Sequence, residues 1–169
     1  MRKTADYRAQ IRGRCNREVG AYWEKMIDRA CEQYKRDEKA AIEKTPEPMK
    51  VLSKPNNKGQ FLACFAKAAQ PDYKGTLAGG RAVVFEAKHT DTGKMSRNAI
   101  SVNQEIQLNL HQKLGATTFV LLSFGLTQFF RVPWDVFRDM KTIYGRKYMT
   151  PDDIRAYQIK YEGGYLHFL

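Results

Sequence analysis

Cysteine is scarce in this chain of 169 residues. Cys15, Cys31 and Cys64 are odd in number and widely spaced, and no C-x-x-C pair is present. This pattern supports neither a disulfide framework nor a zinc site, and it favours a reducing compartment, so we expect a cytoplasmic protein. The three histidines also lack metal-ligand spacing and are interpreted as surface or packing residues.

Long hydrophobic runs are missing as well. The longest largely apolar stretch, residues 119–124, is far shorter than the roughly 20 residues that a membrane-spanning helix requires. No apolar signal segment opens the chain, and there is no glycine-rich phosphate loop and no G-x-S-x-G motif. The sequence therefore gives no support for a membrane protein, a P-loop protein or an α/β-hydrolase.

Negative charge is in the minority. The chain has 29 lysines and arginines against 18 acidic residues, a formal net charge of +11. Such a surplus favours a polyanionic partner, and with the membrane reading unsupported the preferred partner is nucleic acid. A length of 169 residues, 43% of them hydrophobic, suits one compact domain. We expect this domain to span residues 17–169.

The first residues form a basic segment. Only Asp6 is acidic, and the positive charges are Arg2, Lys3, Arg8, Arg12, Arg14 and Arg17. Residues 1–16 are interpreted as an arm that is either solvated and flexible or bound to DNA phosphates, and the sequence leaves both readings open.

Hydrophobic periodicity predicts an α/β order of elements. Asn16 is a candidate N-cap for a helix over residues 17–39, and residues 50–60 are rich in lysine, asparagine, proline and glycine, which predicts a projecting loop. Further helices are predicted over 98–114 and 134–144 and from 150–153, and strands over 40–44, 61–69, 73–77, 81–88, 117–124, 128–132 and 159–169. This order predicts a mixed sheet covered by helices.

Two small features of the first helix have alternative readings. Gly20 and Glu24 are one turn apart and share a face. Either Gly20 lets the helix approach the sheet closely while Glu24 reaches a functional site, or Glu24 is a surface acid that pairs with Lys25 or Arg29.

Residues 71–88 carry the strongest chemical signal. Glycines between two extended runs predict a hairpin, and a turn centred on Gly79 places Asp72 directly opposite Glu86. Like charges in that position destabilise a sheet unless a cation lies between them. Lys88 lies on the same face, two residues beyond Glu86. Two carboxylates and an ammonium are the parts needed to hold a magnesium or manganese ion, activate water and neutralise a phosphate. The alternative is a hairpin with unremarkable surface charges.

This arrangement resembles the PD-(D/E)XK nuclease superfamily and, within it, the RecU-type Holliday junction resolvases of Gram-positive bacteria and their phages. The shared motifs run from about residue 20 to the end of the chain: Gly20-x-x-x-Glu24, Ala41-Ile42-x-Lys44, Pro46-x-Pro48, Asp72-Tyr73-x-Gly75, Phe85-Glu86-Ala87-Lys88-x-Thr90, Gln104 and the apolar strand around Phe119. Departures such as Pro71 in place of the usual serine or threonine fit a phage or prophage member.

The resemblance implies a restriction-endonuclease-like α/β fold and a homodimer that nicks two opposed strands of a four-way DNA junction. It implies Mg²⁺, with Mn²⁺ as a substitute, held by Asp72, Glu86 and the backbone carbonyl of Ala87. Lys88 would orient or deprotonate the attacking water, and Gln104 and Glu24 would support the site. Residues 50–60 correspond to the stalk that enters the junction, and recombination proteins are a further implied partner class. DNA contacts are expected from Arg12, Arg14, Arg17, Lys44, Lys50, Lys54, Lys58, Lys74 and Thr90.

Two other functions fit the same sequence. One is a restriction-like or repair nuclease that acts on other DNA structures. The other is a non-catalytic, basic DNA-binding accessory protein in which the acidic pair is structural.

Overall fold

The computed structural model of the protein describes residues 2–46, 49–65 and 70–169. The α-helices are α1 (Arg2–Arg36), α2 (Val102–Lys113), α3 (Trp134–Arg138) and α4 (Met140–Tyr144). The strands are β1 (Ala40–Lys44), β2 (Met49–Val51), β3 (Ala63–Phe65), β4 (Tyr73–Leu77), β5 (Ala82–Thr90), β6 (Met95–Ser96), β7 (Thr117–Phe124), β8 (Gln128–Pro133), β9 (Tyr148–Met149), β10 (Gln158–Glu162) and β11 (Tyr165–His167). Short 3₁₀ helices cover Arg97–Ala99 and Arg155–Tyr157.

Seven strands form one mixed sheet in the order β1-β4-β5-β7-β8-β10-β11. Strands β5 and β7 pair in parallel, while the other neighbouring strands pair antiparallel. The predicted α/β architecture, a mixed sheet flanked by helices, is therefore confirmed.

Each face of the sheet has its own buried core. Helix α1 packs on one face with Trp23 and Ile27 against Phe85 and Phe119. The other face packs against α2, α3 and α4 around Leu108, Trp134, Phe137 and Met140. Alternate residues of β5 belong to the two cores, since Val83 and Phe85 face α1 whereas Val84 faces the α2 side.

The β4–β5 hairpin has the predicted register. Tyr73 pairs with Phe85, so the residues that precede and follow them, Asp72 and Glu86, lie opposite each other. Gly79 and Gly80 both have φ of +86°, a backbone conformation that favours glycine at this turn. On the α1 face, Tyr73 stacks on Phe85 at 4.9 Å and Phe85 stacks on Phe119 at 4.6 Å between ring centroids. This aromatic row locks the register, because a slip of one residue would move every ring to the other face.

Three predictions about helices are wrong. The first helix begins at Arg2 rather than after Asn16, because residues 2–16 contain no proline and are rich in good helix formers. The predicted helix over 134–144 is broken at Asp139 into α3 and α4. No α-helix starts at 150–153, because the Asp153 carboxylate accepts hydrogen bonds from Thr150 and Arg146 in a turn.

The segment predicted as a projecting loop is the outer part of a β-ribbon. Strands β2 and β3 pair antiparallel, and Leu52 N donates to Leu62 O at 2.7 Å beyond them. Strand β3 lies within the strand predicted over 61–69, whereas β2 was missed because proline, asparagine and glycine dominate the segment that follows it. None of the helices described has the length and apolar character of a membrane span.

Candidate active site

The two carboxylates and the ammonium predicted from the sequence lie together on the α2 face of the sheet. Lys88 Nζ is 2.9 Å from Glu86 Oε2 and 3.2 Å from Asp72 Oδ2. Asp72 Oδ2 also accepts a hydrogen bond of 3.0 Å from the backbone N–H of Ala87. The N–H and C=O of a strand residue point to the same edge of the strand, so the Ala87 carbonyl is directed toward the Asp72 side.

Glu86 is in an unusual environment for a carboxylate. Its side chain is fully buried, and the Oε1 atom has no hydrogen-bond partner. Burial raises the pKa of Glu86 to about 8, hydrogen bonding with and repulsion by Asp72 add to the shift, and the nearby Lys88 opposes it. A buried anionic oxygen without a partner is costly, so this group needs either a proton or a cation.

Lys88 stays charged at neutral pH. Burial acts to lower its pKa, but attraction by Asp72 and Glu86 outweighs burial and raises the pKa above its ordinary value. The ammonium therefore lies between the two carboxylates as a cation and limits their repulsion.

Helix α2 brings Gln104 to the same point. Ser101 caps the helix and Gln104 completes a capping box, with its Oε1 accepting from the Ser101 N–H at 3.0 Å. Its Nε2 then donates to Glu86 Oε2. The cap thus fixes the amide so that its donor end faces Glu86.

Oxygen atoms at this site could serve as ligands of a metal ion. Among the described residues, no group of three or more His, Cys, Asp or Glu side chains could hold a metal ion. Two carboxylates are present, however, and the unpartnered Glu86 Oε1 is a buried acceptor that a cation would satisfy. With the Ala87 carbonyl, this donor set fits a hard divalent cation.

A model of the family described as RecU, Recombination protein U, matches residues 18–169. The chain belongs to the RecU family. No curated protein matches it. Among solved structures it is similar to Hjc, a Holliday junction resolvase from the archaeal hyperthermophile Archaeoglobus fulgidus, with a TM-score of 0.48 and 12% identity over 82% of this chain and 89% of that chain.

RecU membership bears out the resemblance stated from the motifs. The prediction of a nuclease that resolves Holliday junctions is confirmed at the level of the family. Nucleases of this family depend on a metal ion.

In this RecU-family chain, Glu24 lies near the site but outside the hydrogen-bonded cluster. It forms an ion pair of 2.6 Å with Lys44 on β1, so the alternative partners Lys25 and Arg29 are wrong. A Cβ at Gly20 would contact nothing within 4 Å, so the idea that this glycine permits close packing of the helix is wrong too. A Cβ at Gly75, in contrast, would collide with the β1 backbone.

Glu24 and Lys88 share an open cleft of about 610 Å³, here called the active-site cleft. It is lined by Gly20, Trp23 and Glu24 from α1 and by Ala87, Lys88, His89, Thr90, Asp91 and Thr92. Trp23 stacks on Phe129, and its indole N–H has no partner among the described residues. Sequence reasoning missed Trp23 because its spacing on the helix predicts only a core residue.

His89 has more polar partners than a surface or packing residue requires. Its Nδ1 is 3.1 Å from Ser123 Oγ, and its Nε2 is 2.9 Å from Asp91 Oδ1. Ser123 is fully buried. Strand alternation puts His89 on the opposite face of β5 from Lys88. In the sequence, the signal for these polar partners is Asp91, two residues after His89.

The expected DNA-binding residues are spread over several surfaces. Lys54 and Lys58 are exposed on the β2–β3 ribbon, and Arg17 is exposed on α1. Lys74, on β4, donates a hydrogen bond to the Gln70 side chain, and Thr90 lines the active-site cleft. The side chains of Arg12, Arg14 and Lys50 lie outside the described part of the structure.

Proposed function

We propose that this chain is a Mg²⁺-dependent endonuclease that cuts four-way DNA junctions by paired, symmetric nicks. The observation that carries the proposal is the juxtaposition of Asp72, Glu86 and Lys88, with one buried Glu86 oxygen lacking a partner. The family match supports the substrate class.

Asp72, Glu86 and the Ala87 carbonyl would hold the metal. Oxygen donors suit Mg²⁺, and Mn²⁺ accepts the same ligands. When bound, the divalent ion would lower the pKa of a water molecule and stabilise negative charge on the phosphoryl oxygens. Lys88 is held between the carboxylates, and its raised pKa keeps the ammonium protonated in the metal-free protein. Its proposed role is therefore to position the attacking water and contact the phosphate, not to act as a base.

Two further side chains position these groups. Gln104 donates to Glu86 and directs its carboxylate toward Asp72 and Lys88. Glu24 is oriented by Lys44 at the wall of the active-site cleft, where it would accept hydrogen bonds from water close to the scissile phosphate.

The β2–β3 ribbon fits the role of a stalk that enters the junction. It pairs only with itself among the described strands, and it carries exposed Lys54 and Lys58 near its tip. Arg17, Lys44 and Lys74 would contact phosphates of the arms, and Arg12, Arg14 and Lys50 are proposed for the same role from sequence alone.

A homodimer would supply the two active sites that paired nicks require. Helix α2 has an aliphatic stripe on the face away from the sheet: Val102, Ile106, Leu110 and Leu114 are 72%, 55%, 49% and 74% exposed. Spacing of four residues aligns them along one side of the helix. We propose that this stripe packs against the same stripe of a second copy across a two-fold axis, because an exposed apolar row marks an interaction surface.

The test is cleavage of a labelled mobile four-way junction compared with linear duplexes made of the same arms. With Mg²⁺, we expect paired nicks in the junction, products with a 5′-phosphate and a 3′-hydroxyl, and far slower cutting of the duplexes. The Asp72→Asn variant should lose cleavage and keep or improve junction binding, since a negative charge near phosphate is removed. Equal rates on junction and duplex would remove the resolvase assignment, and full activity of Asp72→Asn would remove the proposed catalytic site.

A further inference from the structure

A second open cleft, of about 530 Å³, adjoins the active-site cleft. One wall is the loop that follows β5 together with β6, and the other is the segment that leads into β9. We call it the basic cleft. Its lining includes Thr90, Thr92, Lys94, Ser96, Lys147 and Tyr148.

Strands β6 and β9 hold the two walls together. Met95 pairs with Met149, Ser96 pairs with Tyr148, and Arg97 N donates to Lys147 O at 2.9 Å. Met95 and Met149 are buried, at 3% and 0% exposure. Ser96 and Tyr148, next to them on each strand, are exposed. Lys94 and Lys147 precede the two strands and are exposed as well, so lysines more than fifty residues apart in the sequence are brought to one cleft.

The basic cleft is lined by Lys94 and Lys147 together with hydroxyl-bearing and apolar side chains. No carboxylate lines it, and no described carboxylate forms an ion pair with Lys94 or Lys147. Lys94 Nζ is 5.3 Å from the centroid of the Tyr148 ring. The same ring is contacted at 4.9 Å by the guanidinium of Arg146, which Asp153 holds at 2.6 Å. Tyr148 is thus a fixed platform that places the Lys94 ammonium at the cleft.

The two clefts share part of their lining. His89, Thr90 and Thr92 line both of them, and these residues directly follow Lys88 in the chain. A polymer seated at Lys88 that continues past Thr90 and Thr92 would reach the basic cleft.

We propose that the basic cleft binds the backbone of the DNA strand that flanks the scissile phosphate. Lys94 and Lys147 contact its phosphates, the Ser96 hydroxyl donates a further hydrogen bond, and Tyr148 holds Lys94 in place. Hydroxyl groups and ammonium groups are the usual partners of DNA phosphates. The lining shared with the active-site cleft favours DNA over an acidic protein segment. This inference rests on the proposed function, because it assumes that the substrate of the neighbouring site is DNA.

The test compares two double variants that remove the same charge. Lys94→Gln/Lys147→Gln removes the cleft lysines, and Lys141→Gln/Lys160→Gln removes exposed lysines that line neither cleft. Binding to a fluorescent four-way junction is measured by anisotropy without divalent metal at several salt concentrations. The slope of log K against log salt should fall by about 1.8 in the cleft variant, since each phosphate contact contributes about 0.9. In the control variant the slope should stay close to that of wild type.

Tyr148 provides an independent readout. Tyr148→Phe keeps the ring and should bind the junction like wild type, whereas Tyr148→Ala should weaken binding by about twofold to fivefold. Circular dichroism of every variant checks that the fold is intact.

A cleft variant with the slope and affinity of the control would overturn the inference. So would a cleft variant that binds DNA normally but loses affinity for a fluorescent oligo-glutamate peptide, because the cleft would then be a protein-docking site. Failure of the proposed function looks different: wild type would bind the junction without nicking it, and the salt slopes would still report whether the lysines contact phosphate. A wild type that does not bind DNA at all would overturn both.

Discussion

The carboxyl group of Glu86 is fully buried, and one of its oxygens has no hydrogen-bond donor. Placing a carboxylate there costs folding free energy, because burial raises its pKa to about 8 from the ordinary value of 4.5. A residue that destabilises the metal-free fold in this way is typical of a functional site. The cost falls when a proton or a metal ion is bound.

The first prediction concerns Glu86→Gln and pH. Below about pH 4.5 the wild-type carboxyl is protonated in both folded and unfolded chains, so the raised pKa has no effect on stability. As pH rises from about 4.5 to about 8, the unfolded chain ionises first and the wild type loses stability. Glu86→Gln does not ionise. Urea denaturation without metal should therefore show the variant gaining on wild type as pH rises, by a few kcal/mol at pH 9.

Added Mg²⁺ should reverse that order, because a ligand that binds only the folded wild type stabilises it. The variant, which lacks the carboxylate, should gain little. A difference in unfolding free energy that is independent of pH from 5 to 9 would contradict the environment assigned to Glu86.

Sequence reasoning placed Asp72, Glu86 and Lys88 together because a turn position and strand alternation are enough to do so. The glycine-centred turn sets the register, and period-two alternation sets the face. The Glu24–Lys44 ion pair was missed, because it joins α1 to β1 and depends on how the helix packs. No local rule in the sequence fixes that packing.

At the scale of elements, helix α2 links the fold to the site. Gln104 has two functions: its oxygen completes the cap, and its nitrogen reaches Glu86. The orientation of the Gln104 side chain at the site is therefore set by the capping box, a common motif at the start of helices.

Substitutions at the cap separate these two functions. Gln104→Glu keeps an acceptor for the Ser101 N–H but removes the donor to Glu86, so junction cleavage should fall about tenfold to a hundredfold with little loss of stability. Ser101→Ala removes the cap acceptor and should cost about 1 kcal/mol of stability while cleavage stays close to that of wild type. Single-turnover cleavage and thermal denaturation measure the two effects. Equal cleavage by both variants would show that the Gln104–Glu86 hydrogen bond has no catalytic role.

Long, strongly patterned elements were the ones that the sequence predicted best. Strands β5, β7 and β8 lie close to where apolar runs placed them. Strand β2 and the β6–β9 pair were missed because strands of two or three residues leave almost no periodic signal. The long α1 was cut short because Asn16, a good capping residue, lies inside it.

At the scale of the whole molecule, the aliphatic stripe of α2 is an unpartnered surface on the helix that also carries Gln104. The sequence did not reveal it, because the side of the helix that faces the sheet is known only from the packing of Leu108. A dimer formed through this stripe would couple the two active sites through one pair of helices.

The dimer prediction uses two identical substitutions at similar exposure. Ile106 on the stripe is 55% exposed, and Ile143 on α4 is 52% exposed. Ile106→Glu should give a monomer in sedimentation and single rather than paired nicks, because a charge enters the apolar interface. Ile143→Glu should leave the dimer unchanged. A dimeric Ile106→Glu protein would place the interface elsewhere.

The most direct measurement is a crystal of the protein soaked in Mn²⁺, with anomalous diffraction data. We expect a peak in contact with carboxylate oxygens of both Asp72 and Glu86 and with the Ala87 carbonyl, and no such peak in Glu86→Gln crystals. A soaked wild-type crystal with no peak there, and with Lys88 still between the two carboxylates, would contradict the assignment of this site as the metal centre of the nuclease.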